Sequence, residues 1–504
     1  MSTGKVWLVG AGPGDIGLFT LKGMEVLMQA QVVVYDSLVG QSLLSRIPDT
    51  ARCINVGKRA SHHTMPQEQI NELLAEEAKK GLRVVRLKGG DPFLFGRGGE
   101  EAELLAKEGI PFEIVPGVTS SIAVPAYNGI PVTHRDFTSS VHIITGHKKQ
   151  GQDYDIDFKA LVRTKGTLVF LMGVSALEEI CRSLLAAGME PDMPAALLQK
   201  GTTAGQKRIL ADISTLPQEV KRQGVQTPAI IVVGRVCPLA EEFDWYEKLP
   251  LAGCRVLVTR PRELVSAMAE KLRKKGAEVL ELPAICTRPL EDQKELYQAF
   301  QTLETYDWIA FTSPTGVRIF FEEMKKAGVD IRKLYQAKLA AIGKGTKKAL
   351  EEKGFFVDLV PEVYDGASLG QALCQACQGE ERILLPRAKA GNSEILQELK
   401  KKPGLQISDI ATYETLYEKQ DLIDEKQEFE QGHIDCAVFT SASTVRGFAE
   451  AVKGLDFSLV RAACIGKQTK AAADALGMKT YMAKQADMDS LVELVCRMKE
   501  EKEC

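Results

Sequence analysis

Short apolar runs alternate with amphipathic stretches along most of the chain, and this alternation limits the fold more than any other feature of the sequence. The amphipathic stretches, such as Gln67–Lys80 and Ala176–Ala187, have helical spacing. The apolar runs of the first half are predicted to be strands: Lys5–Val9, Val32–Tyr35, Val84–Leu87, Phe112–Val115, His142–Thr145, Thr167–Leu171 and Ala229–Val233. Strands and helices in alternation pack as layers, so we predict an α/β fold.

Composition excludes several classes of protein. The 504 residues are 45% hydrophobic and 26% charged, as in ordinary globular proteins, and the net charge of −3 includes no run of like charge. We therefore expect no nucleic-acid partner. No apolar run approaches the roughly 20 residues of a membrane span, and the chain enters a strand at once, so we expect neither a span nor a signal peptide. Eleven scattered cysteines favour reduced thiols and a cytoplasmic location.

Metal-binding patterns are weak in this sequence. Cys374 and Cys377 form the only close cysteine pair, without a second pair or nearby histidines, and His62-His63 stands equally alone. Structural zinc sites need a complete set of four ligands at regular spacing. We therefore expect no metal.

The loop within Leu87–Glu101 is rich in glycine and follows an apolar run that is predicted to be a buried strand. Glycine permits positive φ and lets a ligand approach the backbone closely. Asp91-Pro92 favours a turn inside this loop. Because ligands bind at the carboxyl ends of strands in α/β sheets, we predict that it belongs to a binding site.

The first turn, Gly10–Asp15, leaves two interpretations open. It resembles a dinucleotide-binding turn, with Asp36 where a ribose-binding acid would stand, which would suit a nicotinamide-dependent oxidoreductase. The G-x-G-x-x-G spacing fails, however, because position 15 is aspartate, and Pro13 lies inside the motif. The turn therefore also suits a different nucleoside ligand.

Six segments together carry a more specific signal. They occur in a fixed order along about residues 4 to 240: Gly10–Asp15, Gly89–Glu101, Pro116–Ser121, Gly129–Arg135, Phe170–Gly173 and Gln199–Thr203. The set resembles the tetrapyrrole methylase family, and within it the uroporphyrinogen-III C-methyltransferases. The resemblance implies two α/β subdomains with a cleft between them, a homodimer formed through this domain, and S-adenosylmethionine, or its product S-adenosylhomocysteine, bound in a folded conformation.

The same resemblance assigns roles to residues. Asp36 and Lys58 look like the family's acid–base pair, although a structural ion pair or a pair of solvated caps stays open. Carboxylates of the substrate would meet Arg59, Arg97, His134 and Arg135. The cofactor would contact Pro13, Gly89, Gly90, Asp91, Leu94, Thr119, Ser120, Met172 and Gly201.

Residues 238 to 250 break the alternation of strands and helices. Pro238 and Pro250 bracket an acidic and aromatic run. We interpret this run as a domain boundary, and its aromatic residues predict that it docks onto a domain and is not a free tether.

Beyond this boundary the chain repeats itself. Three segments of the first copy have counterparts in the second: Arg255–Pro261 with Arg382–Arg387, Trp308–Ser313 with Cys436–Ser441, and Ala341–Thr346 with Cys464–Thr469. The spacing between counterparts is nearly constant, which predicts two similar α/β lobes. Each turn ends a strand and opens a helix, where backbone amides can bind anions.

The doubled turns resemble uroporphyrinogen-III synthase over about residues 252 to 495. The resemblance implies two lobes joined by extended strands near Leu282–Pro289 and Ile407–Leu416, and closure of the linear tetrapyrrole hydroxymethylbilane. Tyr413 matches a tyrosine that assists the leaving hydroxyl, although a hinge-packing aromatic is the alternative, and Thr315 and Ser443 are interpreted as helix caps. The cleft would be lined by Thr312, Ser313, Gly343, Thr346, Thr440, Ser441, Gly466 and Thr469.

The two resemblances predict one bifunctional enzyme that acts on tetrapyrroles. We expect a methyltransferase domain at 1–245 and a synthase domain at 251–504, with lobe one at about 251–286 plus 412–504 and lobe two at about 287–411. One alternative is that the C-terminal lobes form a ligand-sensing module without catalysis. The nicotinamide oxidoreductase remains the other.

Overall fold

A computed structural model describes residues 4–48, 50–57, 65–146, 156–261, 267–391, 393–416 and 422–503. The backbone divides into two compact units. The first unit consists of Met1–Arg260, Leu264–Pro283 and Lys419–Cys504, and the second unit of Pro261–Glu263 and Ala284–Glu418.

The first sheet of the first unit is wholly parallel, in the order β3-β2-β4-β1-β5. Its strands are β1 (Lys5–Gly10), β2 (Val32–Tyr35), β3 (Arg52–Asn55), β4 (Arg83–Lys88) and β5 (Phe112–Val115). The helices are α1 (Leu21–Met28), α2 (Gln41–Leu44), α3 (Gln67–Lys79), α4 (Gly98–Lys107) and α5 (Ser120–Tyr127). Alternate residues of β2 and β4 belong to separate cores on opposite faces of the sheet. Burial on both faces explains why these strands are apolar runs in the sequence.

The second sheet is mixed, in the order β6-β7-β10-β8-β9. Its strands are β6 (Val141–Thr145), β7 (Thr167–Leu171), β8 (Pro194–Gln199), β9 (Lys207–Asp212) and β10 (Ala229–Val233). The helices are α6 (Phe158–Thr164), α7 (Leu177–Ala186), α8 (Leu216–Gln223) and α9 (Leu239–Glu242). β10 runs antiparallel to both β7 and β8, and β8 and β9 are also antiparallel. β9 is absent from the predicted strands because it lies at a sheet edge and is only partly buried.

The aromatic run after α9 packs on α5, as predicted. The Trp245 indole N–H donates to the Ala126 carbonyl at 2.9 Å. The ring of Tyr127 lies 5.1 Å from that of Trp245 and 4.9 Å from that of Tyr246. This segment is therefore a packed element and not a flexible tether.

The remainder of the chain continues the alternation and contains the two predicted long strands. The strands are β11 (Arg255–Pro261), β12 (Glu278–Pro289), β13 (Trp308–Phe311), β14 (Lys338–Ala341), β15 (Arg382–Ala388), β16 (Gln406–Leu416), β17 (Cys436–Phe439), β18 (Arg461–Cys464) and β19 (Lys479–Met482). The helices are α10 (Ala267–Lys274), α11 (Lys294–Gln301), α12 (Pro314–Lys326), α13 (Lys344–Glu351), α14 (Gly366–Ala376), α15 (Glu394–Leu399), α16 (Glu425–Glu430), α17 (Ala442–Ala451), α18 (Lys467–Asp474) and α19 (Met488–Glu503).

Each copy of the repeat has its own parallel strands. In the first unit β11, β17, β18 and β19 are neighbours in that order. In the second unit the order is β14-β13-β15-β16, and the end of β12 pairs antiparallel with the end of β16. The predicted α/β fold is confirmed. Among the described residues, no helix has both the length and the apolar character needed to cross a bilayer.

Candidate functional sites

Three glycines bring the loops after β1, β4 and β5 into direct contact. A Cβ atom added to Gly117 would lie 2.2 Å from the Gly90 carbonyl oxygen and 2.6 Å from Gly10 Cα. A Cβ on Gly10 would lie 2.4 Å from Gly117 Cα. Such distances exclude any side chain at these two positions, so the sequence needs glycine there for the loops to meet.

Backbone hydrogen bonds fix this junction. Gly12 and Gly90 exchange hydrogen bonds of 3.2 and 2.8 Å, and Asp91 Oδ2 accepts from the Gly117 amide at 3.0 Å. Gly90 has φ +68°, and a Cβ there would have only the Ser120 amide nitrogen within 4 Å, at 3.9 Å. Open space therefore lies beside Gly90, and a ligand can approach its backbone closely.

The turn after β8 joins the same cluster. A Cβ on Gly201 would lie 2.3 Å from Val124 of α5, and the Asp15 amide donates to Thr202 Oγ1 at 3.2 Å. Lys200 and Thr202 both have positive φ, 43° and 68°. Non-glycine residues adopt this conformation only when surrounding contacts hold it, and such strain is concentrated at binding sites.

Asp36 follows β2 and lies at the edge of this cluster. Its carboxylate accepts from the Leu38 amide at 3.0 Å and from the Arg86 guanidinium at 3.2 Å. A Cβ on Gly89 would lie 2.6 Å from Leu38 Cβ, so the Asp36 turn packs on the loop after β4. The Asp36 side chain remains 23% exposed, which leaves it accessible to a small molecule.

Arg86 links Asp36 to a chain of buried charges. Glu101 accepts from Arg86 Nε at 3.2 Å and from Lys88 Nζ at 2.7 Å, and its side chain is fully buried. Burial, together with the charge of Arg86, lowers the pKa of Lys88 below its usual value, and Glu101 partly offsets this. Two positive and two negative groups thus alternate, which compensates charges that would otherwise be costly to bury.

Sequence reasoning did not identify Arg86, Lys88 or Glu101. A signal was present, because Arg86 and Lys88 stand two residues apart in the buried part of β4 and so share one face of the strand. Two cations on one face of a buried strand need a buried acid as partner.

The structure places the other predicted residues of this half as follows. Pro13 belongs to the Gly10–Asp15 turn, Leu94 to the loop after β4, and Thr119 caps α5. Met172 follows β7 and is half exposed.

The described residues that are predicted to meet substrate carboxylates occupy two separate segments of the chain. Arg97 is exposed and forms an ion pair with Glu100. His134 and Arg135 lie in a separate turn, where His134 Nδ1 accepts from the Asp136 amide. Lys58 and Arg59 lie outside the described residues.

A second cluster occurs in the second unit, at the carboxyl ends of β13 and β14. The Tyr413 hydroxyl lies 2.7 Å from Ser313 Oγ, which also accepts from the Gly316 amide at 2.9 Å and so caps α12. Tyr413 is buried, and this burial raises the pKa of its hydroxyl, an effect that the hydrogen bond to Ser313 partly opposes. Tyr413 therefore stays protonated at neutral pH and can donate a proton.

The turn after β14 lies next to the turn after β13, and helix α13 begins there. β13 and β14 are paired through Phe311 and Ala341, so Thr312 and Gly343 follow adjacent strand ends. Gly343 precedes α13, and Thr346 is buried in its first turn. Gly343 forms no side-chain cap with α13, so the first backbone amides of that helix can bind anions such as carboxylates.

The first unit repeats this arrangement. Thr440 and Ser441 follow β17, and Ser441 caps α17 in a reciprocal box with Thr444. Gly466 precedes α18 and Thr469 is buried in its first turn. The predicted equivalence of the two copies is thus visible in their helix starts. Within the part of the chain that the structure describes, no cluster of three or more acidic, histidine or cysteine side chains could hold a metal.

Two family models match the chain in succession. One describes tetrapyrrole (corrin/porphyrin) methylases and matches residues 5–217, and the other describes uroporphyrinogen-III synthase HemD and matches residues 266–493. A porphyrin biosynthesis protein HemD of Ruminiclostridium josui is 43% identical over 98% of both chains. A uroporphyrinogen-III C-methyltransferase of Bacillus subtilis is 41% identical over 71% of this chain and 74% of that protein.

A solved structure is similar to the N-terminal half. The uroporphyrin-III C-methyl transferase of Thermus thermophilus, complexed with S-adenosylhomocysteine, is 38% identical. It covers 47% of this chain and all of that chain, with a TM-score of 0.40.

Proposed function

Since this chain belongs to the family of proteins that join a tetrapyrrole methylase to a uroporphyrinogen-III synthase, we propose that it performs two reactions of tetrapyrrole biosynthesis. Its C-terminal half closes hydroxymethylbilane to uroporphyrinogen III, with inversion of the last pyrrole ring. Its N-terminal half methylates this product at C2 and C7 to give precorrin-2. The observation that carries the proposal is the match of both family models, in this order, together with a relative that is similar over nearly the whole length.

We propose that the two activities divide at the packed aromatic segment after α9. The methyltransferase domain would be 1–245 and the synthase domain 251–504. Lobe one of the synthase would comprise 251–286 and 412–504, and lobe two 287–411. The long strands β12 and β16, which lie near these limits, support the division into lobes.

The glycine cluster suits the methyl donor. The open space beside Gly90 and the free approach to the loops after β1 and β4 match a ligand held mainly by backbone groups. S-adenosylmethionine supplies a methyl group on a sulfonium, and its transfer is an in-line displacement that needs positioning more than acid–base strength. Pro13, Gly89, Gly90, Asp91, Leu94, Thr119, Ser120, Met172 and Gly201 would hold the donor.

Asp36 is the base that the described residues offer to the tetrapyrrole. When a pyrrole carbon accepts a methyl group, a proton must leave a neighbouring nitrogen or carbon, and a carboxylate can take it. Arg86 and the Leu38 amide orient Asp36 while leaving it partly exposed. Lys58 would support the charge or return a proton, and Arg59, Arg97, His134 and Arg135 would meet substrate carboxylates.

Ring closure requires that the linear substrate be folded and that a hydroxyl group leave. In the second unit, the turns that open α12 and α13 would bind acetate and propionate groups through backbone amides and hydroxyl groups. In the first unit, the turns that open α17 and α18 would bind such groups in the same way. Thr312, Ser313, Gly343, Thr346, Thr440, Ser441, Gly466 and Thr469 belong to these turns. The protonated hydroxyl of Tyr413 would assist the departing hydroxyl as a general acid.

The cellular setting is also a proposal. The cysteines among the described residues are free thiols, which supports a cytoplasmic protein. We expect a homodimer through the methyltransferase domain, and light scattering of the purified chain measures its mass directly.

One assay tests both activities. The full chain is incubated with hydroxymethylbilane, with and without S-adenosylmethionine, and the products are separated by isomer and mass. We expect uroporphyrinogen III without the donor and a product carrying two further methyl groups with it. The type I isomer alone would indicate a C-terminal half without catalysis, and binding of a nicotinamide in place of S-adenosylhomocysteine would indicate an oxidoreductase.

A further inference from the structure

The start of β12, Glu278–Glu281, contacts two turns of the methyltransferase domain within the first unit. Glu278 Oε2 accepts from the Ala204 amide at 2.8 Å, and the Val279 carbonyl accepts from Ser42 Oγ at 2.9 Å. Glu281 pairs with Arg46 at 2.6 Å. One strand from the synthase half therefore supports the turn after β8 and helix α2 at the same time.

Glu278 is itself held firmly. Its side chain is largely buried, and Arg255 of β11 pairs with it at 3.0 Å. Arg255 also pairs with Glu428 of α16 at 2.9 Å, and Glu428 accepts from Gln41 of the methyltransferase domain at 3.0 Å. The carboxylate that accepts from the Ala204 amide is thus held by an ion pair with Arg255, which is itself paired with Glu428.

The turn that Glu278 reaches is strained and lies beside the donor site. Lys200 and Thr202 have positive φ, and Thr202 Oγ1 accepts from the Asp15 amide of the first turn. Residues in such conformations persist only where neighbours hold them. The Ala204 hydrogen bond supplies one such restraint from outside the methyltransferase domain.

Helix α2, which β12 contacts through Ser42, also packs against the first turn, Gly10–Asp15. A Cβ on Gly40, which caps α2, would lie 2.8 Å from the Gly14 carbonyl oxygen. A small cavity next to this contact is lined by Gly14 and Thr202 from the donor turns and by Gly276 and Arg273 from the synthase half. The first turn and the turn after β8 are therefore both linked to the start of β12, the first through α2 and the second through Ala204.

We propose that Glu278 is a positioning residue of the methyl-donor site, through which the synthase half orders the turn 200–205 for donor binding. The inference rests on the proposed function, because it assumes that this turn contacts the donor. Glu278 touches no reacting atom. It acts through the Ala204 amide, Thr202 and the Asp15 amide.

Titration of the full chain with S-adenosylhomocysteine tests the proposal. Glu278 acts on the donor only through the order of the turn, so only part of the free energy of its hydrogen bond reaches donor binding. Glu278→Ala is therefore expected to raise the Kd about 3-fold to 10-fold. The KM for S-adenosylmethionine rises in parallel, while kcat at saturating donor changes little, because the turn is ordered once the donor is bound. Amide hydrogen exchange of residues 200–206 in the free protein becomes faster.

Two further variants separate positioning from general damage. Glu278→Gln keeps an acceptor oxygen for the Ala204 amide and is expected to show a smaller rise in Kd. Asp489→Ala removes an ion pair to Lys271 elsewhere in the same half and is expected to bind like the unchanged protein. Unaltered affinity and exchange in Glu278→Ala, or an equal loss in Asp489→Ala, would overturn the inference. Absence of S-adenosylhomocysteine binding in the unchanged chain would instead overturn the proposed function.

Discussion

Two side chains, Asp36 and Tyr413, are the proposed proton carriers, and their surroundings differ. Asp36 is a partly exposed carboxylate oriented by a guanidinium and a backbone amide. Tyr413 is a buried hydroxyl that contacts one other hydroxyl, Ser313. Asp36 is thus a carboxylate that is accessible for accepting a proton, whereas Tyr413 is protonated at neutral pH and has a proton to give to a leaving group.

Asp36→Asn is expected to reduce methylation about 100-fold or more, because the amide keeps the shape of the side chain but cannot accept a proton. Binding of S-adenosylhomocysteine should be nearly unchanged. The rate is measured from precorrin-2 formation, and binding by calorimetry, with the exposed neighbour variant Ser37→Ala as control. Lost cofactor binding in Asp36→Asn would place Asp36 at the nucleoside and not at the tetrapyrrole.

Tyr413→Phe is expected to slow enzymatic ring closure about 100-fold, because the proton donor to the leaving hydroxyl is removed. The measurement is the ratio of the type III to the type I isomer. Ser313→Ala, which keeps the Tyr413 hydroxyl, should have a smaller effect. An unchanged isomer ratio in Tyr413→Phe would leave Tyr413 as a packing residue.

The raised pKa of Tyr413 also predicts a pH dependence. Burial favours the neutral hydroxyl, so the group loses its proton only above the ordinary tyrosine value of about 10. Tyr413 should therefore cause no fall in closure rate between neutral pH and that value. A pH–rate profile of the unchanged protein measures this, and a fall that disappears in Tyr413→Phe would contradict it.

At the scale of elements, the donor site depends on how closely three strand ends approach. The loops after β1, β4 and β5 meet at Gly10, Gly90 and Gly117, where backbone lies against backbone. Strands β4, β1 and β5 are adjacent in the sheet, so their loops emerge side by side. The site is therefore a property of the strand order and of these glycines together.

Gly117→Ala is expected to lower the free energy of unfolding by about 1 to 3 kcal/mol, because its Cβ would overlap the Gly90 carbonyl and force the loops apart. Affinity for S-adenosylhomocysteine should fall as well. Gly99→Ala is the matched control, since Gly99 lies in α4 with open space around it and alanine favours helices. Denaturant unfolding and calorimetry measure both quantities. Equal behaviour of the two variants would refute the steric explanation.

At the scale of the whole molecule, the aromatic segment and β12 connect the two activities within the first unit. Trp245 and Tyr246 pack on Tyr127 of α5, whose hydroxyl donates to Asp15 of the first turn at 2.8 Å. Through Tyr127, the connection between the halves is therefore linked to the first turn, which is proposed to hold the methyl donor.

Trp245→Ala is expected to lower the free energy of unfolding by about 1 to 2 kcal/mol, because it removes a hydrogen bond to Ala126 and an edge-on contact with Tyr127. The effect is expected to be no larger, because the Trp245 side chain is already half exposed. Limited proteolysis should then cleave the segment 238–250 faster. Phe243→Ala, another exposed aromatic of the same segment, serves as control. Unchanged cleavage in Trp245→Ala would show that the docking depends on other contacts.

The sequence alone determined the alternation of strands and helices that makes this an α/β fold. Strands such as Val32–Tyr35 and Ala229–Val233 were predicted with the bounds that the structure has, because periodicity and turn residues are local signals. The repeat of the C-terminal half was visible for the same reason. Strands β3, β8 and β9 are absent from the predicted strands of the first half. β3 and β9 lie at sheet edges and are only partly buried, so neither forms an apolar run. β8 is buried, but it begins at a proline and has no β-branched residue.

Only the tertiary structure decided which distant residues meet. Arg86, Lys88 and Glu101 form one buried chain because α4 covers the face of β4 that carries both cations, and no spacing in the sequence fixes that contact. Glu278 reaches Ala204 because β12 packs against a turn 74 residues earlier in the chain. Periodicity describes the face that a residue occupies, but the packing of the elements selects the partner that the face meets.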